Sequence, residues 1–534
     1  MRHARAKIAV TGLALVMALA GCSGGDNKPA GEAGGKTEEK PPAAPEKPTK
    51  LRVELWDRSN AAEGTTITNN FLTNWIRDEV AKIGIDIEFV PVPRATEEEK
   101  LNVWMASGEA PDIIFVYNPT VMMRYAEQGG LHELTPILDK FPKLKEANKV
   151  ALETAGLYKG KRYAIPARVE ATAGPSMKIR QDWLDKLNLK MPTSNDELYA
   201  VLKAFKEKDP GGVGKDNIVP WGLSTPSQGT KSFWYGPAYG FGVKNHGPGG
   251  ILYMPSGNFK NGTYISGWVS PEGKNLFKYM NQAYKDGLIP KEFVTDVNNQ
   301  KLTQGIANGT IGFLDSNDQA QGLNSITRKA VPTAKWVPVP PFKQPDGTIE
   351  TSTGAKNGML IMIPKSSKVP EVAMKYLDWM AIEKNISTIL GGIEGTHYKK
   401  EDGLNFAINP DQRKKDLYAA GDLGIIYNGS RTYTLEQFKK LQNTPENPDA
   451  GELAFQHQEI FQKYGVVEAN PDVPRPIATK NNPTFAKFLW DSISKVIIAS
   501  DFDKEFNAMV DGWKKLGGDD YDKEVTEALK AMKK

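Results

Sequence analysis

The alternation of apolar and polar residues over 95–117 predicts a helix, a sharp stop and a buried strand. Apolar residues recur on one helical face until Gly108, which is typical of a helix end. The run 113–116 is apolar and mostly β-branched, as expected for a strand covered on both faces. Because ligands of open α/β sheets bind beyond the carboxyl ends of such strands, we expect Tyr117 and Asn118 to lie on a ligand-facing rim.

The same reading extends along the chain. Residues 51–56 and 85–90 alternate and are rich in strand-forming side chains, whereas residues 71–83 have the period of an amphipathic helix. Strands that alternate with helices favour a mostly parallel sheet. Residues 366–534 are predicted to be mostly helical. The fold class is therefore α/β with a helical C-terminal part.

The amino terminus predicts export and anchoring. Residues 1–21 combine a basic start, an apolar run and small residues, which indicates a secretory signal peptide too short to span a membrane. The only cysteine, Cys22, follows Leu19-Ala20-Gly21, and this segment resembles the lipobox of bacterial lipoproteins. The resemblance implies cleavage before Cys22 and lipidation of its sulfur. Residues 22–50 are predicted to be the lipidated cysteine and a disordered tether.

Composition and charge bear on which partners the protein can bind. The chain has 534 residues, 25% of them charged, and a formal net charge of +4. Three basic residues and no acidic residue lie within 1–21, so the remainder is close to neutral. A near-neutral chain gives no electrostatic argument for nucleic acid, and we predict no nucleic-acid partner. With a single cysteine, no disulfide forms within a monomer.

Short motifs in a fixed order carry a family resemblance. They are residues 106–112, 129–131, 160–166, 179–187, 192–198 and 392–398. Together, and behind the lipobox, they resemble extracellular solute-binding protein family 1, the lipoprotein receptors of carbohydrate ABC importers. The last motif resembles the large subgroup common in Gram-positive bacteria. The resemblance implies a two-lobed, periplasmic-binding-protein-like (type II) fold with hinge crossings.

The implied lobes are discontinuous in sequence. We predict an N-terminal lobe of 51–165 with 310–364, and a C-terminal lobe of 166–309 with 365–534. Residues 160–166 suit the first crossing. Residues 307–314 would bring the chain back to the first lobe, and the apolar run 359–364 would leave it again.

The resemblance implies a receptor and no enzyme. We expect a monomer that is lipid-anchored at the extracellular face of the cell membrane. It would capture an oligosaccharide and deliver it to an ABC permease heterodimer with a cytoplasmic ATPase. Two alternatives stay open. A secreted carbohydrate-active enzyme would need a carboxylate pair, which Asp57, Glu170, Asp315 and Glu394 could supply. A sugar-sensing or adhesive lipoprotein would bind without transport.

Candidate ligand contacts come from predicted strand ends, from an aromatic tract over 218–270 and from the 392–398 motif. No helical or strand period organises residues 227–250, so we expect irregular surface with aromatic rings that stack on sugars. The predicted ligand-binding residues are Trp56, Asp57, Tyr117, Asn118, Arg168, Glu170, Trp221, Trp234, Tyr235, Asp315, Asn317, Glu394 and His397. We expect Trp234→Ala to weaken binding without unfolding the protein.

One loop bears on metal binding. Relatives often have a calcium loop at the position of residues 209–217. Calcium needs six or more oxygen ligands. This chain keeps Asp209 but has Gly211 and Val213 where side-chain ligands are expected, and Asn217 replaces the later acid. We therefore predict no cofactor, with calcium in this degenerate loop as the only candidate.

Overall fold

The computed structural model of the protein describes residues 47–170, 174–226, 230–246, 256–353, 357–429, 431–467 and 475–532. The predicted signal peptide, Cys22 and nearly all of the predicted tether lie outside these ranges. Within them, no helix has both the length and the apolar character needed to cross a membrane. The first strand begins at Thr49, two residues before its predicted start.

The strands are short and scattered along the chain. In chain order they are β1 (Thr49–Asp57), β2 (Ile85–Pro93), β3 (Ile114–Val116), β4 (Leu157–Tyr158), β5 (Lys161–Arg162), β6 (Ala164–Val169), β7 (Ser176–Arg180), β8 (Val219–Trp221), β9 (Gly257–Lys260), β10 (Thr263–Ser266), β11 (Ile311–Ser316), β12 (Trp336–Pro338), β13 (Thr351–Thr353), β14 (Asn357–Met362), β15 (Tyr398–Glu401), β16 (Leu404–Ala407), β17 (Tyr427–Asn428) and β18 (Gly465–Val467).

The helices surround these strands. They are α1 (Phe71–Ala81), α2 (Glu97–Ser107), α3 (Pro119–Glu127), α4 (Thr135–Leu138), α5 (Pro142–Ala147), α6 (Lys149–Thr154), α7 (Gln181–Leu187), α8 (Asn195–Lys208), α9 (Tyr235–Gly240), α10 (Pro271–Lys285), α11 (Gln300–Ala307), α12 (Ala320–Thr327), α13 (Pro370–Met380), α14 (Glu383–Gly391), α15 (Pro410–Asp416), α16 (Ala420–Leu423), α17 (Leu435–Gln442), α18 (Ala450–Tyr464), α19 (Pro476–Ile498), α20 (Phe502–Lys515) and α21 (Gly518–Met532). The predicted stop at Gly108 is confirmed, since this residue caps α2 at φ 73°.

One sheet organises the first lobe. Its strand order is β17–β6–β14–β3, and β1 joins it through a parallel bridge between Val53 and Ile113. Strand β14 runs antiparallel to both β3 and β6, so β1, β3 and β6 all point the same way. The apolar core of this lobe gathers side chains from 51–167 and 359–427.

A second sheet organises the second lobe, in the order β12–β7–β11–β8. Its core gathers apolar side chains from 177–342 and from the C-terminal helices, 478–529. The two cores confirm the predicted two-lobed α/β class. Packing of the last three helices against the second core also agrees with the predicted helical C-terminal part.

The structure corrects the predicted crossings. Strand β11 pairs with β7 and β8, so residues 311–316 belong to the second lobe and do not return to the first. The chain returns at β14, and α13 and α14 then stay on the first core. The prediction failed because a short apolar strand has the same pattern in either sheet.

Candidate ligand-binding site

The carboxyl ends of β1, β3, β6 and β17 meet at one edge of the first sheet. We call this edge, which carries Asp57, Tyr117, Arg168 and Asn428, the first-lobe rim. The Tyr117 ring lies 5.4 Å from that of Trp56, and its hydroxyl is 3.3 Å from Asn428 Nδ2. Tyr117 is 46% exposed, which is unusual for an aromatic ring at a strand end. The predicted rim residues of the first lobe thus lie together.

Trp56 supports the rim from below. Its side chain is fully buried, with the Arg94 guanidinium 4.1 Å from its ring centroid. The indole Nε1 donates to Glu54 at 3.0 Å, and Glu54 also accepts the Phe115 main-chain N–H at 2.9 Å. The prediction that Trp56 contacts ligand is not supported in this arrangement, because its ring is covered by other side chains.

The polar neighbours of Tyr117 serve mainly the backbone. The Asn118 side chain caps α3 by accepting the Thr120 N–H at 3.0 Å. Asp57 accepts the Ser59 N–H at 2.8 Å. Asp57 ends β1 and Asn118 follows Tyr117, and their ligand contact stays a prediction.

Arg168 lies at the end of β6, with its guanidinium 5.0 Å from the centroid of the Tyr427 ring. Burial, with help from the nearby Glu170 carboxylate, raises the pKa of Tyr427 to about 12. Glu170 itself is exposed. Sequence reasoning found Arg168 and Glu170 but missed Tyr427, which reaches this position from more than 250 residues further along the chain.

In the second lobe, Asp315 anchors the predicted aromatic segment. Its Oδ2 accepts the Gly236 N–H at 2.8 Å, and its main-chain oxygen accepts the Phe233 N–H at 2.7 Å. Asp315 is fully buried, and burial raises its pKa to about 6. Asn317 follows β11 and is exposed. Asp315 is therefore a positioning residue for the segment that holds Tyr235.

A buried lysine accompanies this carboxyl group. Lys178 Nζ donates to the main-chain oxygens of Ser176 at 2.8 Å and Ser316 at 2.5 Å. Burial lowers the pKa of Lys178 to about 7. The lysine thereby links β7 to the end of β11. The pattern of strand ends in the sequence did not identify Lys178.

The expectation of an exposed aromatic tract is wrong for most of its described rings. Trp221 and Trp234 are fully buried in the second core, with the Trp221 ring 5.7 Å from Phe313. Tyr235 is half-buried beside Phe233. The large rings fill the space around the second sheet. Burial also removes the basis for expecting Trp234→Ala to spare stability, because deleting a buried indole leaves a cavity.

The 392–398 motif has a structural role. His397 is fully buried, accepts the Ile393 N–H at Nδ1 and donates from Nε2 to Asp416 at 3.0 Å. Glu394 is exposed, with Lys400 at 3.7 Å. No contact in the described chain brings either residue to the first-lobe rim. Their predicted ligand contact therefore stays a prediction, and the burial of His397 argues against it.

The degenerate calcium loop uses its acid internally. The Asp209 carboxylate accepts the main-chain N–H groups of Val213 at 3.1 Å and Gly214 at 2.7 Å. In the part of the chain that the structure describes, His, Cys, Asp and Glu form no group of three that could hold a metal ion. The assignment of no cofactor stays a prediction.

The fold defines a class of protein, the two-lobed solute-binding proteins. An HMO-binding ABC-transporter associated solute-binding protein from Bifidobacterium longum infantis superposes with a TM-score of 0.68 at 21% identity, covering 91% of this chain and 99% of that one. The alginate-binding protein AlgQ2 gives a TM-score of 0.66 at 21% identity, covering 91% and 98%. These likenesses concern the fold alone.

The sequence comparison identifies the family. This chain belongs to the bacterial extracellular solute-binding proteins, whose family model matches residues 66–385. It is 27% identical to Lipoprotein LipO of Bacillus subtilis, with 84% of this chain and 87% of that protein covered. It is also 27% identical to the polygalacturonan/rhamnogalacturonan-binding protein YtcQ of the same species, with 85% and 88% covered.

Proposed function

We propose that this protein captures an oligosaccharide between its two lobes and delivers it to the permease of a carbohydrate ABC importer. The observation that carries the proposal is the exposed Tyr117 ring, held where three parallel strand ends meet. Aromatic faces of this kind stack on the apolar faces of sugar rings. The names of two relatives support a sugar ligand: the polygalacturonan/rhamnogalacturonan-binding protein YtcQ and the fructooligosaccharide ABC transporter substrate-binding protein FusA of Streptococcus pneumoniae.

Anchoring belongs to the same proposal. Lipid on Cys22 would hold the folded chain at the extracellular face of the membrane, close to a permease heterodimer and its cytoplasmic ATPase. The lipobox supports this arrangement, and so does the resemblance to a protein named as a lipoprotein. Two or more acyl chains on one cysteine are enough for stable membrane attachment.

Closure of the lobes would report the bound state. The first-lobe rim offers a stacking ring, a guanidinium and amide groups, and the end of β11 offers polar groups from the second lobe. A sugar that touches both lobes binds the closed arrangement more tightly than an open one. It shifts the population only by that difference in affinity. The permease would then recognise the closed form.

A thermal-shift screen of the full chain against plant, fungal and animal oligosaccharides tests the proposal. A ligand that binds only the native state must raise the melting temperature. We expect at least one oligosaccharide to do so and to be recovered intact. Recovery as shorter products would instead favour a carbohydrate-active enzyme, and no shift with any sugar would contradict the proposal.

A variant pair assigns the binding to the rim. We expect Tyr117→Ala to weaken the binding of that oligosaccharide by about tenfold, which is the order of one lost aromatic contact. Tyr464→Ala, which removes a half-buried tyrosine of α18, is the matched control and should bind as the parent does. Equal affinities for all three proteins would remove Tyr117 from the site.

A further inference from the structure

Arginine side chains cluster around the first-lobe rim, and most already have a carboxylate partner. The pairs are Arg58 with Asp422, Arg94 with Glu97, and Arg431 with Glu383. The Arg58 pair is bidentate, with N–O distances of 2.7 and 2.9 Å. Arg431 bonds Glu383 at 2.8 Å and the Ser387 hydroxyl at 3.1 Å. The hydrogen-bonding capacity of these arginines is directed at carboxylates of the protein itself.

Arg168 differs from them. Its Nε is buried and has no hydrogen-bond acceptor among the described residues. Its Nη2 forms an ion pair with Glu383 at 3.6 Å, which is too long for a hydrogen bond, and it shares this carboxylate with Arg431. The whole side chain is 18% exposed. A buried donor without an acceptor costs free energy, and a ligand that supplied the acceptor would recover it.

The geometry selects the kind of acceptor. The Arg168 guanidinium lies over the Tyr427 ring, and a planar guanidinium matches a carboxylate through two parallel hydrogen bonds. Asn428, the next residue, contacts the hydroxyl of Tyr117. A sugar ring stacked on Tyr117 therefore has Arg168 on the same rim, within the span of a short oligosaccharide.

We infer that the bound oligosaccharide is acidic, and that Arg168 pairs with the carboxylate of one of its uronic acid units. The inference rests on the proposed function and adds the substrate class to it. Arg180 of β7 has no such role. Its side chain is buried in the second lobe and bonds Asp182 at 2.6 and 2.8 Å.

Glu170 supplies an opposing charge. It is exposed, two residues from Arg168, and its carboxylate lies near Tyr427. An anionic sugar would be repelled by this carboxylate, whereas a neutral sugar would not. Replacing Glu170 with glutamine should therefore strengthen binding of an acidic ligand and leave a neutral ligand of the same shape nearly unchanged.

The test is calorimetric titration of the full chain with tetragalacturonate and with its fully methyl-esterified form. The two probes have the same sugar chain, and in the second each carboxylate is replaced by a neutral methyl ester. We expect the acid to bind at least tenfold more tightly than the ester. Arg168→Gln should weaken binding of the acid tenfold to a hundredfold and of the ester little, since charge-assisted hydrogen bonds are the strong ones. The affinity of Arg168→Lys for the acid should lie between those of the parent and Arg168→Gln, because lysine keeps the positive charge but has no planar guanidinium.

Two further variants test whether the effect is specific to Arg168. Arg77→Gln removes an equal charge from α1 of the same lobe, where the side chain bonds Asn74 and the Thr68 main chain, and should leave both affinities unchanged. Glu170→Gln should increase the affinity for the acid. Melting temperatures without ligand establish that each variant is folded.

The inference and the proposed function fail differently. If acid and ester bind equally, or if Arg168→Gln weakens both by the same factor, the acidic-sugar inference is overturned and the receptor function stands. If tetragalacturonate does not bind while a neutral oligosaccharide of the thermal-shift screen does, the acidic-sugar inference is likewise overturned and the receptor function stands. If no oligosaccharide of either experiment binds, both fail.

Discussion

At the scale of the residue, the carboxyl group of Glu54 shows how the rim is supported. It is 1% exposed and accepts hydrogen bonds from the Trp56 indole and the Phe115 main chain. Burial raises its pKa to about 8. Burial also raises the pKa of the neighbouring Glu97 to about 7. At neutral pH Glu54 is therefore mostly protonated, and it serves as a neutral acceptor beneath the charged rim.

Glu54→Gln tests this assignment through pH. The raised pKa means that the folded state holds its proton up to about pH 8, so the contribution of Glu54 to stability is full below about pH 4 and is lost as the pH rises through 8. Glutamine has only one acceptor oxygen for the two donors, the Trp56 indole and the Phe115 main-chain N–H. The variant should therefore have a free energy of unfolding about 1–3 kcal/mol lower than that of the parent at pH 5. This difference in the free energy of unfolding should become smaller towards pH 9, because only the parent must then ionise the buried Glu54 carboxyl group.

The measurement is the free energy of unfolding of both proteins, from urea titrations at pH 5, 7 and 9. Glu97 is present in parent and variant, and its charge also raises the pKa of Glu54, so the difference between the two proteins reports Glu54 together with this interaction. A deficit that stays constant or grows with pH would show that Glu54 is ionised throughout this range.

At the scale of the element, the start of α8 has the capping-box spacing Ser194–Glu197, and the structure forms one half of that box. The Ser194 hydroxyl accepts the Glu197 N–H at 3.2 Å, as the capping-box spacing indicates. The Glu197 carboxylate, however, accepts from the main chain and hydroxyl of Thr193, both at 2.7 Å. The local pattern thus located the helix start correctly, but the return bond goes one residue further back.

Ser194→Ala should lower the free energy of unfolding by about 1 kcal/mol, the typical value of an N-cap. The control is Ser325→Ala on α12, where the exposed hydroxyl bonds only the main-chain oxygen of Gln321. We expect that control to change stability by less than about 0.5 kcal/mol. Equal losses for the two serines, measured by urea unfolding, would mean that the cap does not stabilise α8.

At the scale of the whole molecule, an ion pair between Lys440 and Asp402 links the two lobes. Helix α18 packs on α12 and β12 of the second lobe, and its partner α17 reaches the hairpin β15–β16. There Lys440 bonds Asp402 at 2.7 Å. His397 ties the base of the hairpin to Asp416 of the first lobe. The pair therefore favours the arrangement of the lobes in which it forms.

Lys440→Glu should weaken oligosaccharide binding by about two- to fivefold, because exposed ion pairs contribute up to about 1 kcal/mol. The pair is exposed, so stability should hardly change. The double variant Asp402→Lys with Lys440→Glu restores opposite charges and should recover the parent affinity. Calorimetry with the oligosaccharide found in the thermal-shift screen decides this. An unchanged affinity in the single variant would mean that the contact has no part in closure.

The sequence by itself determined the α/β class, the first strands, the stop of α2, and the family. These depend on periodicities and caps that span a few residues, which a local pattern records. The structure alone decided that β11 lies in the second sheet, that Trp221 and Trp234 are buried, and that Arg168 meets Tyr427. Each depends on contacts between segments that are distant in sequence. Burial, partner and charge at such positions are set by what packs against them, and no local pattern contains that information.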